Sequence, residues 1–210
     1  IAGLTLTNAD TAHYTSSSDF TTISIAADAD ADIELTIGAN ASISTTGTAD
    51  DLTIHGGGNN VTLTSTTATE DIVVDGAATT NITANSALGN VTVTGSNDSV
   101  VSATSALGNV NITATGTIGV TATAAAGTVT VSTAGVYADG ADNTLGTVGV
   151  TGGTIIDVTS LTGVTAAQRT TATTDASNNT ITQGAVTVTG NTSTTSASVT
   201  QSATVVEADS

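Results

Sequence analysis

The sequence predicts an all-β fold, a parallel β-solenoid (β-helix) with about 19 residues per rung. Three observations predict it: a repeated hexapeptide, a pattern that recurs at the same interval, and pairs of apolar residues that keep the same phase. The hexapeptide Ser-Ala-Leu-Gly-Asn-Val begins at Ser86 and again at Ser105, one such interval later. Because self-similarity at a short fixed period is typical of repeat architectures, this interval indicates the fold class before any single motif is considered.

The interval extends well beyond the hexapeptide. Seven segments of similar pattern follow one another at this interval, and a single step between them is one residue longer than the others. They begin at Ala31, Asp50, Glu70, Gly89, Gly108, Gly127 and Gly146. Each segment is expected to form a strand of one rung.

Every segment carries two apolar residues that are two positions apart. The pairs are Ile33/Leu35, Leu52/Ile54, Ile72/Val74, Val91/Val93, Val110/Ile112, Val129/Val131 and Val148/Val150. Residues two apart lie on the same side of an extended strand, so each pair should face the interior and its polar neighbours the solvent. A second apolar group half a period later, with Ile82, Val120 and Ile156 as examples, predicts a second strand in each rung. Stacked rungs then share one continuous core, which a single rung cannot form.

The whole chain, residues 1–210, is interpreted as one solenoid domain that is a fragment of a longer protein. Residues 1–21 are a joining segment or an atypical first rung, and residues 22–160 are regular rungs. The phase is lost over residues 161–179, which we expect to form a loop excursion with a helical turn near Arg169. Strand patterns return in residues 180–210, the final rungs.

The composition excludes several classes of function. The net charge is −17, there is no lysine, and Arg169 is the one arginine. Nucleic acid is not an expected partner, because binding its phosphates needs many cations. No apolar run is long enough to span a bilayer, so membrane insertion is not expected either. With 1% aromatic residues and no cysteine, the core must be thin and free of disulfides.

The sharpest candidate site is a column of acidic residues at the start of the early segments. Stacking the segments places Asp32, Asp51 and Asp71 one above another, with Asp50 and Glu70 just before the last two. Neighbouring strands lie about 4.8 Å apart, and carboxylates at that separation repel by roughly 3–4 kcal/mol at an effective dielectric of about 20. Calcium prefers carboxylate oxygens and would relieve this repulsion, so the acidic column is a candidate calcium site. The alternative is a solvated acidic strip with splayed side chains.

The same column continues at Asn90 and Asn109. These residues need no metal, because stacked side-chain amides can hydrogen-bond along a ladder.

Two further candidates lie later in the chain. Asp139 and Asp142 occupy a Gly- and Asn-containing turn and form a candidate calcium loop, with a metal-free turn as the alternative. Arg169 is a candidate contact between subunits, because it is the sole cationic residue beside 18 acidic ones. The alternative for Arg169 is an exposed surface loop.

Catalysis is not expected. His13 and His55 are the only histidines. His55 falls on an outward position between Thr36 and Asp75 of the neighbouring segments, as a surface histidine would. A serine or threonine nucleophile needs a positioned base and an orienting group, and no such arrangement is recognisable.

The last part of the chain resembles a known family. Residues 182–201, Thr-Gln-Gly-Ala-Val-Thr-Val-Thr-Gly-Asn-Thr-Ser-Thr-Thr-Ser-Ala-Ser-Val-Thr-Gln, preceded by Val-Thr-Gly-Gly-Thr at 150–154, resemble the repeat region of Caulobacter-type surface-layer (S-layer) proteins. The resemblance implies a secreted, calcium-dependent, RTX-related β-solenoid that a type I system exports and that assembles as a lattice on the cell surface. The glycine-aspartate nonapeptides that bind calcium in RTX repeats are missing, since residues 55–63 carry Asn where Asp is expected.

Three functions are compatible with these observations. The first is an extracellular structural protein that assembles with its own copies as an S-layer lattice or a filament, with cell-surface polysaccharide bound by parts outside this chain. The second is the shaft of a large secreted RTX-type adhesin. The third, an ice-binding solenoid, is disfavoured because one of seven segments keeps Thr-X-Thr at its outward positions, Thr92 and Thr94. An open stack also exposes strand edges, which proteins normally cap or pair, and this favours continuation into more protein or onto a neighbouring subunit, hence assembly.

Overall fold

Alternating apolar and polar residues form short parallel strands along the chain. The computed structural model describes residues 3–7, 11–15, 20–26, 32–47, 49–66, 69–85, 89–103, 107–122, 127–137, 143–144, 147–166, 181–182 and 184–207. These residues contain twenty strands and no helix. The strands are β1 Gly3–Thr7, β2 Thr11–Thr15, β3 Thr22–Ala26, β4 Asp32–Thr36, β5 Ala41–Thr45, β6 Ala49–His55, β7 Val61–Ser65, β8 Thr69–Asp75, β9 Thr79–Ala84, β10 Val91–Ser96, β11 Asp98–Ala103, β12 Val110–Ala114, β13 Ile118–Ala122, β14 Thr128–Tyr137, β15 Asn143–Thr144, β16 Val148–Thr151, β17 Ile155–Ala166, β18 Ile181–Thr182, β19 Val186–Thr189 and β20 Ser196–Glu207.

Two large parallel sheets are built from strands that alternate along the chain. The first sheet has the order β1-β3-β5-β7-β9-β11-β13-β16-β19, and the second has the order β2-β4-β6-β8-β10-β12-β14-β17-β20. A short third sheet pairs β15 with β18. Within the described residues each rung gives one strand to each large sheet, which confirms the predicted parallel β-solenoid.

The register confirms the predicted period. Val110 lies opposite Val91 on one side and Val129 on the other, a translation of one predicted period each time. Leu52 lies opposite Ile72, so this step is one residue longer, as the sequence indicates. Equivalent residues therefore stack in columns along the rod.

The core lies between the two large sheets. The apolar pairs predicted for β4, β6, β8, β10, β12 and β14 are all buried. From the other sheet, Ile43, Leu63 and Ile82 complete the core, and each is at most 1% exposed. Because every buried side chain packs on its equivalents in the rungs above and below, neighbouring rungs cover one another.

The seventh predicted segment forms a strand and its pair, Val148 and Val150, is buried as predicted, but the strand lies in the other sheet. Val148, in β16, lies opposite Ile118 of the first sheet. The column of Val129 continues instead at Ile156, which the sequence pattern places on the other strand of its rung. β14 is ten residues long, and further residues separate it from β16. More than one period of sequence therefore passes before the chain reaches the next position in either sheet. The segment that begins at Gly146 keeps the interval of the earlier segments, but its strand β16 belongs to the first sheet and not to the second.

The predicted loop excursion at residues 161–179 begins too early. β17 continues to Ala166 and pairs with β14 on one side and β20 on the other. The backbone N–H and C=O groups of β17 bond to these two neighbours. A helical turn here would break those bonds, so the strand is favoured. Residues 167–180 lie outside the described residues, so the remainder of the excursion stays a prediction.

The described residues near both ends of the chain take part in the sheets. β1 lies beside β3, with Leu4 opposite Ile23, and β2 lies beside β4. Of the two alternatives for residues 1–21, the described part thus forms a first rung. β19 and β20 are the last strands of the two large sheets. None of the described residues forms a helix of the length and apolarity needed to cross a membrane.

Candidate functional site

Three consecutive strands of the second sheet, β4, β6 and β8, bring ionisable side chains together on their outward face. Outward and inward residues alternate along each strand, and the parallel register stacks the outward ones in columns. One column contains Thr36, His55 and Asp75, and Glu34 lies two residues before Thr36 in β4. Glu34 is therefore a diagonal neighbour of His55, while Asp75 is its direct neighbour.

The imidazole of His55 bonds to carboxylates on both sides, an arrangement named here the His55 bridge (Glu34, His55 and Asp75). His55 Nε2 lies 2.9 Å from Glu34 Oε1. His55 Nδ1 lies 2.9 Å from both Oδ1 and Oδ2 of Asp75. The three side chains are 35%, 45% and 42% exposed for His55, Glu34 and Asp75, so the bridge is open to solvent protons. One side chain thus connects three successive rungs.

The donor and acceptor inventory of the His55 bridge favours a protonated imidazole. An ionised carboxylate only accepts hydrogen bonds, whereas a neutral imidazole donates from one nitrogen alone. Carboxylate oxygens lie 2.9 Å from each ring nitrogen, so with both carboxylates ionised the two bonds form together only when both nitrogens carry a proton. Hydrogen bonds to Asp75 and then to Glu34 raise the pKa of His55 above its ordinary value, and their charges add to this, while partial burial opposes it.

A shallow depression of about 370 Å³ adjoins the bridge. Its lining residues are Asp32, Ile33, Glu34, Asp51, Thr53 and His55. The depression is rich in carboxylates, so it favours positively charged over negatively charged groups. Among the described side chains, no group of three or more histidines, cysteines and carboxylates is arranged to hold a metal ion.

The structure places the predicted acidic column at the beginning of β4, β6 and β8. Asp51 lies directly opposite Asp71, as predicted. Asp32 and Asp51 are exposed, and Asp71 is half-buried.

Two more members of the acidic column, Asp50 and Glu70, belong to β6 and β8, but their side chains are not among those described. Nothing in this geometry tests calcium, so the calcium site stays a prediction.

Towards the C-terminus the acidic column continues as a ladder, in which side-chain oxygens accept hydrogen bonds from N–H groups of the following rung. The backbone N–H and the side-chain Nδ2 of Asn90 donate to Asp71 Oδ1 at 2.8 and 2.9 Å. The N–H of Asn109 donates to Asn90 Oδ1 at 3.0 Å, and the N–H of Thr128 donates to Asn109 Oδ1 at 2.9 Å. The predicted ladder is present, but most of its bonds are from backbone N–H to side-chain oxygen. Aspartate and asparagine are equivalent in this role because both supply an Oδ1 acceptor.

The remaining predicted site residues are outside the part of the chain that the structure describes. These are Asp139 and Asp142 of the candidate calcium loop and Arg169 of the candidate subunit contact.

Sequence reasoning missed the His55 bridge. It treated His55 as a surface histidine, although the stacked segments already place Asp75 next to it in its column. The missing element was the diagonal neighbour Glu34, whose long side chain reaches across one rung. Diagonal neighbours on one face of a sheet are within reach of long side chains, so the signal was present in the aligned repeats.

Comparison with known proteins identifies no relative: no protein-family model, no curated protein and no solved structure matches this chain. Fold and site therefore define its class on their own. It is a parallel β-solenoid with a continuous aliphatic core, an acidic column and a histidine bridge across three rungs.

Proposed function

We propose that this chain is a structural protein that assembles with its own copies by extending the solenoid end to end, as part of an S-layer lattice or an extracellular filament. The observation that carries this proposal is an inward side chain in β20 that the described residues leave exposed. Val199 stands in the same column as Val131 and Val158. The latter two are 0% exposed, whereas Val199 is 49% exposed.

Further rungs of a longer chain or the first rung of a second copy could cover this surface, and the proposal takes the second copy because its first rung has matching chemistry. In β19, Val186 and Val188 are only partly buried against the core. In β1, at the opposite end of the same sheet, Leu4 and Leu6 are partly buried as well. Joining β19 of one copy to β1 of the next would place apolar residues over apolar residues and would pair backbone groups at both strand edges.

Charge opposes this contact and points to a requirement for calcium. A chain with a net charge of −17 repels its copies, and the acidic column adds a local concentration of carboxylates. We therefore include calcium in the proposal, as the ion that lets the rods approach. Its ligands would come from the whole acidic column, which includes Asp50 and Glu70 beside Asp32, Asp51 and Asp71. The extracellular location is supported by the resemblance of residues 182–201 and by the acidic, cysteine-free composition.

The test replaces Val199 with lysine in the 210-residue chain and follows particle size by sedimentation velocity and negative-stain electron microscopy, with calcium present. The unmodified protein should form linear particles, and Val199→Lys should return it to single rods. Val100→Lys is the matched control, because Val100 is 42% exposed but lies in the middle of the stack, on β11.

Loss of assembly in both variants, or in neither, would contradict end-to-end stacking through β20. An unmodified chain that stays a single rod at every protein and calcium concentration would contradict self-assembly and favour the shaft of an adhesin.

A further inference from the structure

The His55 bridge connects three rungs on an outward face that also carries Asp32, Asp51 and Asp71. Glu34 belongs to β4, His55 to β6 and Asp75 to β8. Each rung is otherwise joined to the next by backbone hydrogen bonds, by apolar packing and by hydrogen bonds of uncharged side chains such as Asn90. In the bridge, by contrast, one ionisable side chain binds two different rungs at once.

The groups around His55 decide what happens when its proton leaves. Asp32 and Glu34 face it from β4, Asp51 from its own strand, and Asp75 from β8. His13 of β2 stands in register with Glu34. A neutral His55 would hold one ring nitrogen lone pair against a carboxylate at hydrogen-bond distance, which is repulsive. The surrounding carboxylates would then repel one another without an intervening positive charge.

The geometry points to a proton-controlled latch: Glu34, His55 and Asp75 hold β4, β6 and β8 together while the imidazole carries two protons, and these three strands loosen when it loses one. The inference is independent of self-assembly, because it concerns contacts within one chain. It assigns the bridge a regulatory role, in which the acidic face of the early rungs is rigid at mildly acidic pH and less rigid at alkaline pH.

The direction of the pH dependence follows from the raised pKa of His55. A group whose pKa is higher in the folded than in the unfolded chain stabilises the fold fully below its unfolded pKa, here the ordinary 6.5. That stabilisation is lost as the pH rises through the raised folded value. Stability in β4, β6 and β8 should therefore decline above neutral pH.

The first measurement is an NMR titration of the histidine rings in the complete chain, with a chelator present so that divalent ions do not contribute. The His55 signal is the one that His55→Gln removes, which separates it from His13. We expect His55 to titrate above the ordinary histidine value and Asp75→Asn to lower its pKa. Asp157→Asn is the matched control, since Asp157 is an exposed aspartate on β17, away from the bridge, and the same charge is removed.

The second measurement is hydrogen exchange of the same protein from about pH 5.5 to about pH 9, corrected for the intrinsic exchange rate. Because each bond is a part-exposed ion pair, opening of β4, β6 and β8 should increase about two- to fivefold across this range. β11, β12 and β13 should not change. His55→Gln should abolish the step and leave the strands formed.

Two results would overturn the latch. One is a His55 ring that titrates at or below the ordinary value. The other is a pH step in β4, β6 and β8 that persists unchanged in His55→Gln.

Discussion

Most side chains that point into the core of this solenoid are aliphatic. The buried threonines and serines show how a buried hydroxyl is tolerated. Thr80 and Ser96 are buried, and their hydroxyl oxygens lie 2.8 Å apart. Thr45 donates to Ser65 at 3.0 Å and Thr133 donates to Ser160 at 3.1 Å in the same manner. Burying a hydroxyl without a partner costs free energy, so pairing across rungs is the expected solution.

Ser99 departs from this pattern and supports a prediction at the residue scale. Its side chain is 0% exposed, and its hydroxyl has no hydrogen-bond partner among the described residues. Ser99→Ala should therefore leave the free energy of unfolding unchanged or raise it by about 1 kcal/mol. Ser96→Ala, the matched control, should lower it by about 1–2 kcal/mol because Thr80 loses its partner.

Urea denaturation of both variants measures the two changes. Equal destabilisation by Ser99→Ala and Ser96→Ala would show that the Ser99 hydroxyl is satisfied in solution, for example by a buried water.

At the scale of the element, the corners between strands are limited by how closely neighbouring rungs approach. At the corner after β6, Gly56 is buried against the backbone of the next rung. A Cβ built on Gly56 would lie 2.5 Å from Ala77 Cα, which is far inside van der Waals contact. Only a residue without a side chain fits between these two rungs, because the obstacle is backbone and cannot rotate away.

Gly56→Ala should therefore destabilise the solenoid by about 1–3 kcal/mol, the usual cost of overpacking a tight contact. Gly149→Ala is the matched control, since a Cβ at Gly149 meets nothing within 4 Å and β16 is extended there. That substitution should be neutral or slightly stabilising, because alanine restricts the unfolded chain. The melting temperature of the two variants gives the comparison. A Gly149→Ala variant as unstable as Gly56→Ala would mean that loss of glycine itself, not close approach of rungs, is the cause.

At the scale of the whole molecule, the balance between packing and charge is unusual. The core is a continuous column of aliphatic residues, while the chain carries 18 acidic residues against one arginine. Self-repulsion of this size destabilises a compact state and keeps copies apart. The response to ions should therefore depend on whether the acidic column binds them specifically.

We predict that calcium raises the melting temperature and the particle size of chelated protein more than magnesium or sodium chloride of matched ionic strength. Calcium accepts several flexible carboxylate ligands, whereas magnesium demands small octahedral sites and keeps its waters. Replacing Asp51 and Asp71 together by asparagine should remove the calcium response and leave the solenoid folded. Asn90 and Asn109 already occupy equivalent positions and make the ladder bonds.

Equal responses to calcium, magnesium and sodium chloride would reduce the effect to screening. Differential scanning calorimetry combined with dynamic light scattering measures both quantities on the same samples.

The repeat by itself was sufficient to predict the parallel solenoid, its period and the buried pairs from Ile33 to Val131. These features depend only on the repeat. A translation of one period brings similar residue types into register, so residues that repeat in the sequence are also in contact. The acidic column and its asparagine ladder follow from the same translation. The atoms that form the ladder bonds could not be predicted from this translation, because backbone N–H groups compete with side-chain amides for the same oxygens.

Only the tertiary structure decided the features that depend on where the chain returns after an irregular stretch. The long β14 delays the next rung, so Val148 enters the first sheet and Ile156 continues the column of Val129. Residues 161–166 are a strand because β14 and β20 offer backbone partners on both sides. The His55 bridge likewise depends on a diagonal contact with Glu34, which requires the distance between rungs as well as their order. Periodicity determines which residues repeat, whereas three-dimensional proximity determines which of them bind one another.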